Sequence, residues 1–367
     1  MSPPPSPDAS AAKATAAGAP PLTLWVLTDG KAGDEIPCLG VAEELIGVRD
    51  APWDGGIAAP PMDPELRYPV PLVSRTYATG RIEIRRVAPH PPWVWFMPRG
   101  PIDPRDTPDH ADSPILPPYP DVLIASGRRS IAYVRAVKRL SGGRTFTAIL
   151  KDPRTSDHGA DFVWVPEHDR SRVADYMRTL TTPHRFSAER IALAKATLPQ
   201  RILALPGPRV TLLLGGRTRR GPFIAADRDR LCAALRDLCR DAGSFLVTVS
   251  RRTPPDLLAA VKKAIDARPS TIWDNSGPNP YLNFLAAADA IVATGDSHTM
   301  ISEAASTGAP LMIFQPTCIK PKLTYFGLRM VEEGWAAPFD GTLKRDAPVP
   351  HDATAIVAAE IRRRLQA

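Results

Sequence analysis

Short apolar runs alternate with helical patterns along this chain, and the alternation restarts after the joint Leu205-Pro206-Gly207-Pro208. Apolar runs bounded by small or polar turns read as buried parallel strands, and such strands need crossover helices. A repeated strand–turn–helix succession therefore points to doubly wound sheets. Before the joint, residues 22–28, 82–84, 121–126, 145–150 and 162–165 read as strands, with helices over 38–45 and 131–140. After it, 210–214, 244–249, 271–273, 290–293 and 310–314 read as strands, with helices over 227–242, 257–267 and 281–287. At 367 residues the chain exceeds what one core usually fills. The expectation is an α/β protein of two doubly wound, Rossmann-like domains facing a central cleft. Residues 1–21 read as a disordered tail, 22–204 as an N-terminal domain with proline-rich insertions, and 208–350 as a C-terminal domain. Residues 351–367 read as a helix that could pack back on the first domain.

Composition narrows the class. A hydrophobic fraction of 44% with 23% charged residues describes an ordinary globular chain. No apolar run approaches the ~20 residues of a membrane span. The net charge of +7 suits phosphate-bearing ligands or an anionic membrane surface; no nucleic-acid motif accompanies it, so nucleic acid is not expected as a partner. Cys38, Cys232, Cys239 and Cys318 form no C-x-x-C pair and have no histidines at zinc spacing, which predicts neither a metal nor a disulfide framework. The Pro/Ala/Ser-rich start lacks an apolar signal core. The expected setting is cytoplasmic, with peripheral membrane contact left open.

Ligands in doubly wound sheets sit outside the carboxyl ends of strands, and five polar or glycine-rich turns fall there. The most specific is Thr294-Gly295-Asp296-Ser297-His298-Thr299, running into Ser302-Glu303-Ala304. Free amides at a helix start, with the Ser297 and Thr299 hydroxyls, suit a diphosphate, and Glu303 lies where a carboxylate could reach a ribose hydroxyl. An ordinary N-capped helix with Glu303 on a solvated face explains the same spelling. Gly215-Gly216-Arg217-Thr218-Arg219-Arg220 and Ser250-Arg251-Arg252-Thr253 place glycines, hydroxyls and guanidiniums at two further strand ends. In the first half, Gly30-Lys31-Ala32-Gly33-Asp34-Glu35 offers a loop for close ligand approach and two carboxylates. Either Asp34 or Glu35 could serve as a general base, or both could balance a helix dipole. Gly127-Arg128-Arg129-Ser130 adds arginines and a hydroxyl for an acceptor or phosphate. Trp93, Trp95, Phe96 and Met97 could form an acceptor or membrane patch, although a buried fragment is the plainer expectation. Asp227-Arg228-Asp229 opens a helix and reads as structural.

Taken together, the spellings 24–35, 124–130, 248–254 and 296–304 resemble bacterial members of the mitochondrial-fission ELM-type family. The resemblance runs from about residue 22 to 365 and implies a glycosyltransferase-B-like (GT-B) architecture. Plant relatives act at the mitochondrial surface, where they help recruit a dynamin-like fission protein. The chain is more distantly similar to the GT-B enzyme that adds N-acetylglucosamine during peptidoglycan precursor synthesis. That likeness implies a base in the loop holding Asp34, phosphate contacts near Gly215, Gly216, Asp296 and Ser297, and a ribose contact at Glu303. Asp34 stands where that enzyme has histidine. Asp34-Glu35-Ile36-Pro37-Cys38 departs from the family's Asp-Glu-Asn-Gln-Cys, and Arg217-Thr218-Arg219-Arg220 departs from its Pro-Ser-Lys-like spelling.

The expected function is metal-independent sugar transfer from a nucleotide-diphosphate sugar, with no cofactor. The alternative is a non-catalytic nucleotide-binding or scaffold protein. A nucleotide-sugar 2-epimerase, which would need several acids and histidines around the sugar, is a third reading.

Overall fold

The apolar runs pair into two sheets in the computed structural model, which describes residues 21–49, 73–218, 221 and 223–367. Residues 1–20 of the tail expected over 1–21, the proline- and glycine-rich insertion read over 50–64, and Arg219 and Arg220 lie outside the described residues.

The first sheet has the order β2-β3-β1-β4-β5-β6-β7. Its strands are β1 (Leu22–Thr28), β2 (Val73–Tyr77), β3 (Gly80–Arg86), β4 (Val122–Ala125), β5 (Phe146–Leu150), β6 (Phe162–Pro166) and β7 (Met177–Thr179). All neighbours run parallel except β2, which pairs antiparallel with β3. Helix α1 (Ala32–Leu45) follows β1, a short α2 (Trp93–Phe96) precedes β4, and α3 (Ile131–Leu140) follows β4. The alternation of side chains along β1 is visible in its packing. Leu24 and Val26 face Cys38 and Val41 of α1, while Trp25 and Leu27 face Ile131 and Tyr133 of α3. Both faces are thus covered, as parallel strands require.

Helices α4 (Ala188–Ala196) and α5 (Gln200–Leu203) lead to the second sheet, ordered β10-β9-β8-β11-β12-β13 and wholly parallel. Its elements are β8 (Arg209–Leu214), α6 (Ala225–Leu238), β9 (Ser244–Val249), α7 (Pro255–Ala264), β10 (Ser270–Trp273), α8 (Tyr281–Ala287), β11 (Ala290–Thr294), α9 (His298–Ala305), β12 (Leu311–Phe314), α10 (Pro321–Glu332) and β13 (Ala337–Pro338). Leu212 and Val292 pack with Leu231 and Val261 on one face; Leu213 and Ile291 pack with Ile301 and Phe326 on the other. The architecture is the expected α/β pair of doubly wound sheets.

The final helix, α11 (Ala353–Leu365), lies on α1, where Val357, Ala358 and Ile361 join the first sheet's core. Arg49 fastens its start, donating to Asp352 at 2.6 Å. Opposite, α10 meets the loop after β6. Lys322 binds Asp169 at 2.6 Å, and Tyr325 and Arg329 both reach Glu167.

Strand order sets where a site can form. In the first sheet the chain turns from β1 to β3 on one side and β4 on the other; in the second, β8 lies between β9 and β11. At such switch points the turns diverge and leave a crevice. The crevice ends of β1/β4 and β8/β11 carry the turns singled out in the sequence.

Candidate functional site

At the first switch point Gly30 takes a left-handed φ of +79°, which lets the chain turn sharply from β1 into α1. The helix begins at Ala32, earlier than its apolar pattern suggests, so Gly33, Asp34 and Glu35 belong to its first turn. Asp34 accepts a hydrogen bond from Ser126 Oγ at 2.9 Å, just past β4, and from Lys151 Nζ at 2.6 Å, just past β5. Lys151 also donates to the Gly33 carbonyl at 2.8 Å. That carbonyl is free for a local reason. Pro37, four residues on, has no N–H to give it.

Asp29 points into the same corner. Its Oδ2 pairs with Lys31 and its buried Oδ1 has no partner. Gly127, at a left-handed φ of +91°, borders the same corner: a Cβ there would lie in ordinary contact, 3.6 Å from Asp34 Oδ2 and 3.8 Å from Asp29 Oδ1. Gly30, Gly33, Lys31, Asp34 and Gly127 are therefore brought together.

Three sequence assignments fail at this corner. Glu35 is not available as a base, because it is buried with Arg86 donating to both oxygens at 2.9 and 2.7 Å. Arg128 does not face an acceptor; its guanidinium donates to the carbonyls of Trp95 and Met97. Ser130 is fully buried and donates to the carbonyls of Ser126 and Gly127, closing the turn into α3. The expected burial of the aromatic segment fails as well. Met97 is inside, but Trp95 and Phe96 are 70% and 54% exposed.

At the second switch point the glycines have an internal reason. Gly215 N–H donates to Thr294 Oγ1 at 2.8 Å and Gly216 N–H to Asp296 Oδ2 at 3.0 Å. A Cβ on Gly215 would fall 1.9 Å from Asp296 Oδ1, and one on Gly216 would fall 2.0 Å from the Arg252 carbonyl. These amides are not a phosphate cradle. Asp296 is corrected with them: its buried carboxylate also takes Thr294 Oγ1 at 2.7 Å and Arg252 at 3.0 Å, so it braces three turns. Ser250 is likewise engaged, accepting from Arg252 N–H and meeting Thr253 Oγ1. The side chains of Arg217 and Arg251 are exposed at the rim.

The start of α9 differs. Ser297 caps it, accepting from Met300 N–H at 3.4 Å. Among the described residues no acceptor takes the amides of Ser297, His298 or Thr299. One turn further, Glu303 is buried and Tyr281 Oη donates to its Oε2 at 2.7 Å. Burial pushes the Glu303 carboxyl up to about 7, with the Tyr281 hydrogen bond working against the rise, and burial pushes the Tyr281 phenol well up. Glu303 Oε1 accepts nothing from the described residues and is not sealed from solvent.

The two corners meet through two histidines. His168, past β6, and His298, opening α9, have rings 4.9 Å apart at an edge-on angle, with Phe326 against both. Burial lowers His168 to about 4 and His298 well below its usual value. The positive charge of Lys151 adds to both shifts. Lys151 and Tyr281 are the functional candidates that the sequence reading missed. Among the described residues no cluster of three or more His, Cys, Asp or Glu side chains is placed to hold a metal. Asp227 is structural, accepting from the Thr317 amide and hydroxyl.

The curated Arabidopsis thaliana "Mitochondrial fission protein ELM1" is 29% identical over 275 residues, covering 68% of this chain and 64% of that protein. The chain thus spans less than two thirds of that relative's length. Among solved structures, Acinetobacter baumannii MurG is 13% identical with a TM-score of 0.41, covering 94% of this chain and 92% of its own. A Neisseria meningitidis UDP-GlcNAc 2-epimerase bound to UDP-GlcNAc is 10% identical with a TM-score of 0.45, covering 94% and 99%. At those values the likeness reaches no individual residue. The family described as "Mitochondrial fission ELM1" matches residues 32–365, nearly the whole described chain, and the protein belongs to that family.

Proposed function

We propose that the protein binds a nucleotide-diphosphate sugar across the two switch points and transfers its sugar to a hydroxyl acceptor. The observation that carries the reading is the start of α9: three unengaged amides followed one turn later by Glu303 with a free oxygen. Helix-start amides favour phosphate oxygens, and Arg217 and Arg251 at the rim would add charge. A carboxylate held by Tyr281 would accept from a ribose hydroxyl. Asp34 is the one carboxylate of the proposed base pair left with access to the crevice. In the transfer, the acceptor oxygen bonds to the anomeric carbon and its proton goes to Asp34. The bond from that carbon to the diphosphate breaks, and the electron pair leaves with the nucleoside diphosphate. Arginines and helix-start amides would stabilise that charge, so no metal is called for in this scheme.

One observation favours the second reading, a nucleotide-binding scaffold without turnover. Asp34 is already paired with the Lys151 ammonium at 2.6 Å, so that oxygen is occupied as it stands. Melting curves with UDP-, GDP-, CMP- and ADP-sugars, combined with an assay for released nucleotide, separate the two. Binding with release supports transfer, and binding without release supports the scaffold. Absence of binding to every donor removes both.

We also propose contact with an anionic membrane surface through Trp95 and Phe96. Both are exposed, the exposed Arg99 follows them, and the Arg128 guanidinium lies on their backbone. Aromatic rings with arginines suit the headgroup region. No described helix is long and apolar enough to cross a membrane.

A further inference from the structure

We propose that Lys151 couples the two halves of the crevice. Its ammonium holds Asp34 until a nucleoside diphosphate at the start of α9 draws it away, freeing Asp34 as a base. This inference rests on the donor-site reading above and assigns Lys151 a role there.

Four features of the residue support it. Lys151 is the first residue beyond β5, at the ligand-facing edge of the first sheet. Its φ of +134° is one that side-chain residues rarely adopt, and such backbone is retained where the surrounding fold imposes it. Its backbone N–H is held by the Trp164 carbonyl at 2.8 Å, which fixes where the side chain starts. At the far end the ammonium has three hydrogens. Two are used, on Asp34 and on the Gly33 carbonyl that Pro37 leaves open, and the side chain remains 31% exposed.

The surroundings complete the argument. Lys151 holds Asp34 on α1, and its backbone is tied to Trp164 of β6, the strand that leads to His168; that ring packs edge-on against His298 at the start of α9, and Lys322 pairs with the neighbouring Asp169. Both histidines are neutral near pH 7, so neither competes with Lys151 for an anion. A diphosphate carries more negative charge than one carboxylate, so it can shift a shared ammonium towards itself. Once the ammonium leaves, Asp34 Oδ1 loses that hydrogen bond and lies open to the acceptor's proton only when the donor is present.

The test is a double-mutant cycle on UDP affinity, measured by calorimetry on the intact protein. Lys151→Met should weaken UDP binding about tenfold or more, as expected for a lost charge-assisted contact. Lys151→Gly should do the same while accepting the φ of +134° without strain, which guards against misfolding. Lys151→Arg should recover part of the affinity. Asp34→Asn removes the competing anion and should tighten UDP binding, and this gain should vanish when Lys151 is Met or Gly. An unchanged UDP affinity in folded Lys151→Gly overturns the proposal. So does an Asp34→Asn gain that persists without Lys151, since that would be direct repulsion. If the wild-type protein binds none of UDP, GDP, CDP and ADP, the donor site itself is refuted and the coupling falls with it.

Discussion

Glu303→Gln should make the protein more stable at pH 8 and no more stable near pH 5. The carboxyl is 6% exposed, and burial lifts its midpoint from 4.5 to about 7. A shift of that size corresponds to roughly 3 kcal/mol. The midpoint is raised on folding, so the native state holds this proton more tightly than the unfolded chain does. The contribution of Glu303 is therefore fully present below pH 4.5. It declines as pH rises towards 7 and is lost above. Glutamine stays neutral throughout and its carbonyl can still accept from Tyr281. At pH 8 the variant should gain about 2–3 kcal/mol, or roughly 5–10 °C in Tm for a domain of this size. Melting curves of both proteins from pH 5 to 8.5 supply the measurement. A gap of the same size at both ends of that range would show that Glu303 titrates as an ordinary exposed acid, and the packing argument would fail. The same acid links to function. A ribose hydroxyl donating to Oε1 favours the charged form, so UDP binding should release a proton near pH 7, and Glu303→Gln should abolish that release.

Two further outcomes test the second switch point and the exposed aromatics. Asp296→Ala removes the acceptor of the Gly216 amide and the Thr294 hydroxyl and should cost about 2–4 kcal/mol in denaturant unfolding; the Arg252 pair, 44% exposed on the arginine side, adds little. A loss below about 1 kcal/mol would mean the three turns do not depend on that carboxylate. Replacing Trp95 and Phe96 together with serine should abolish co-sedimentation with phosphatidylglycerol vesicles while leaving Tm unchanged, and undiminished sedimentation would refute the membrane patch.

The sequence made the central strands legible because a strand buried on both faces is an unbroken apolar run, as in Ala290–Thr294. Edge strands lack that mark. Val73–Tyr77 alternates between half-buried and exposed positions, and Met177–Thr179 spans three residues, so neither stood out. Helix α10 carried a signal that went unread: Pro321 at its first position, with Leu323, Phe326 and Met330 at helical spacing. The site was legible only as far as its turns. Glycines mark the strand ends, but the sequence does not tell whether a glycine makes room for a ligand or for the protein's own groups. At Gly215 it makes room for Asp296, 81 positions on, and the pair is spelled like a phosphate loop.

The same ambiguity decides which acid can act. Asp34 and Glu35 are neighbours in sequence, and one helical step of about 100° separates their side chains. That step turns Glu35 inward onto Arg86 at the end of β3, where two charges buried together hold each other in place. It turns Asp34 outward to Ser126 and Lys151 at the ends of β4 and β5. What separates the acid buried on Arg86 from the one left at the crevice is thus strand order, which brings β3 to one side of β1 and β4 to the other. Lys151 was hidden for the same reason. Its importance depends on a carbonyl at Gly33 that Pro37 cannot satisfy, and only the fold places a lysine from 118 positions away over that gap. Pro37 therefore bears on the crevice directly: the proline opens the carbonyl, the carbonyl anchors the ammonium, and the ammonium occupies Asp34.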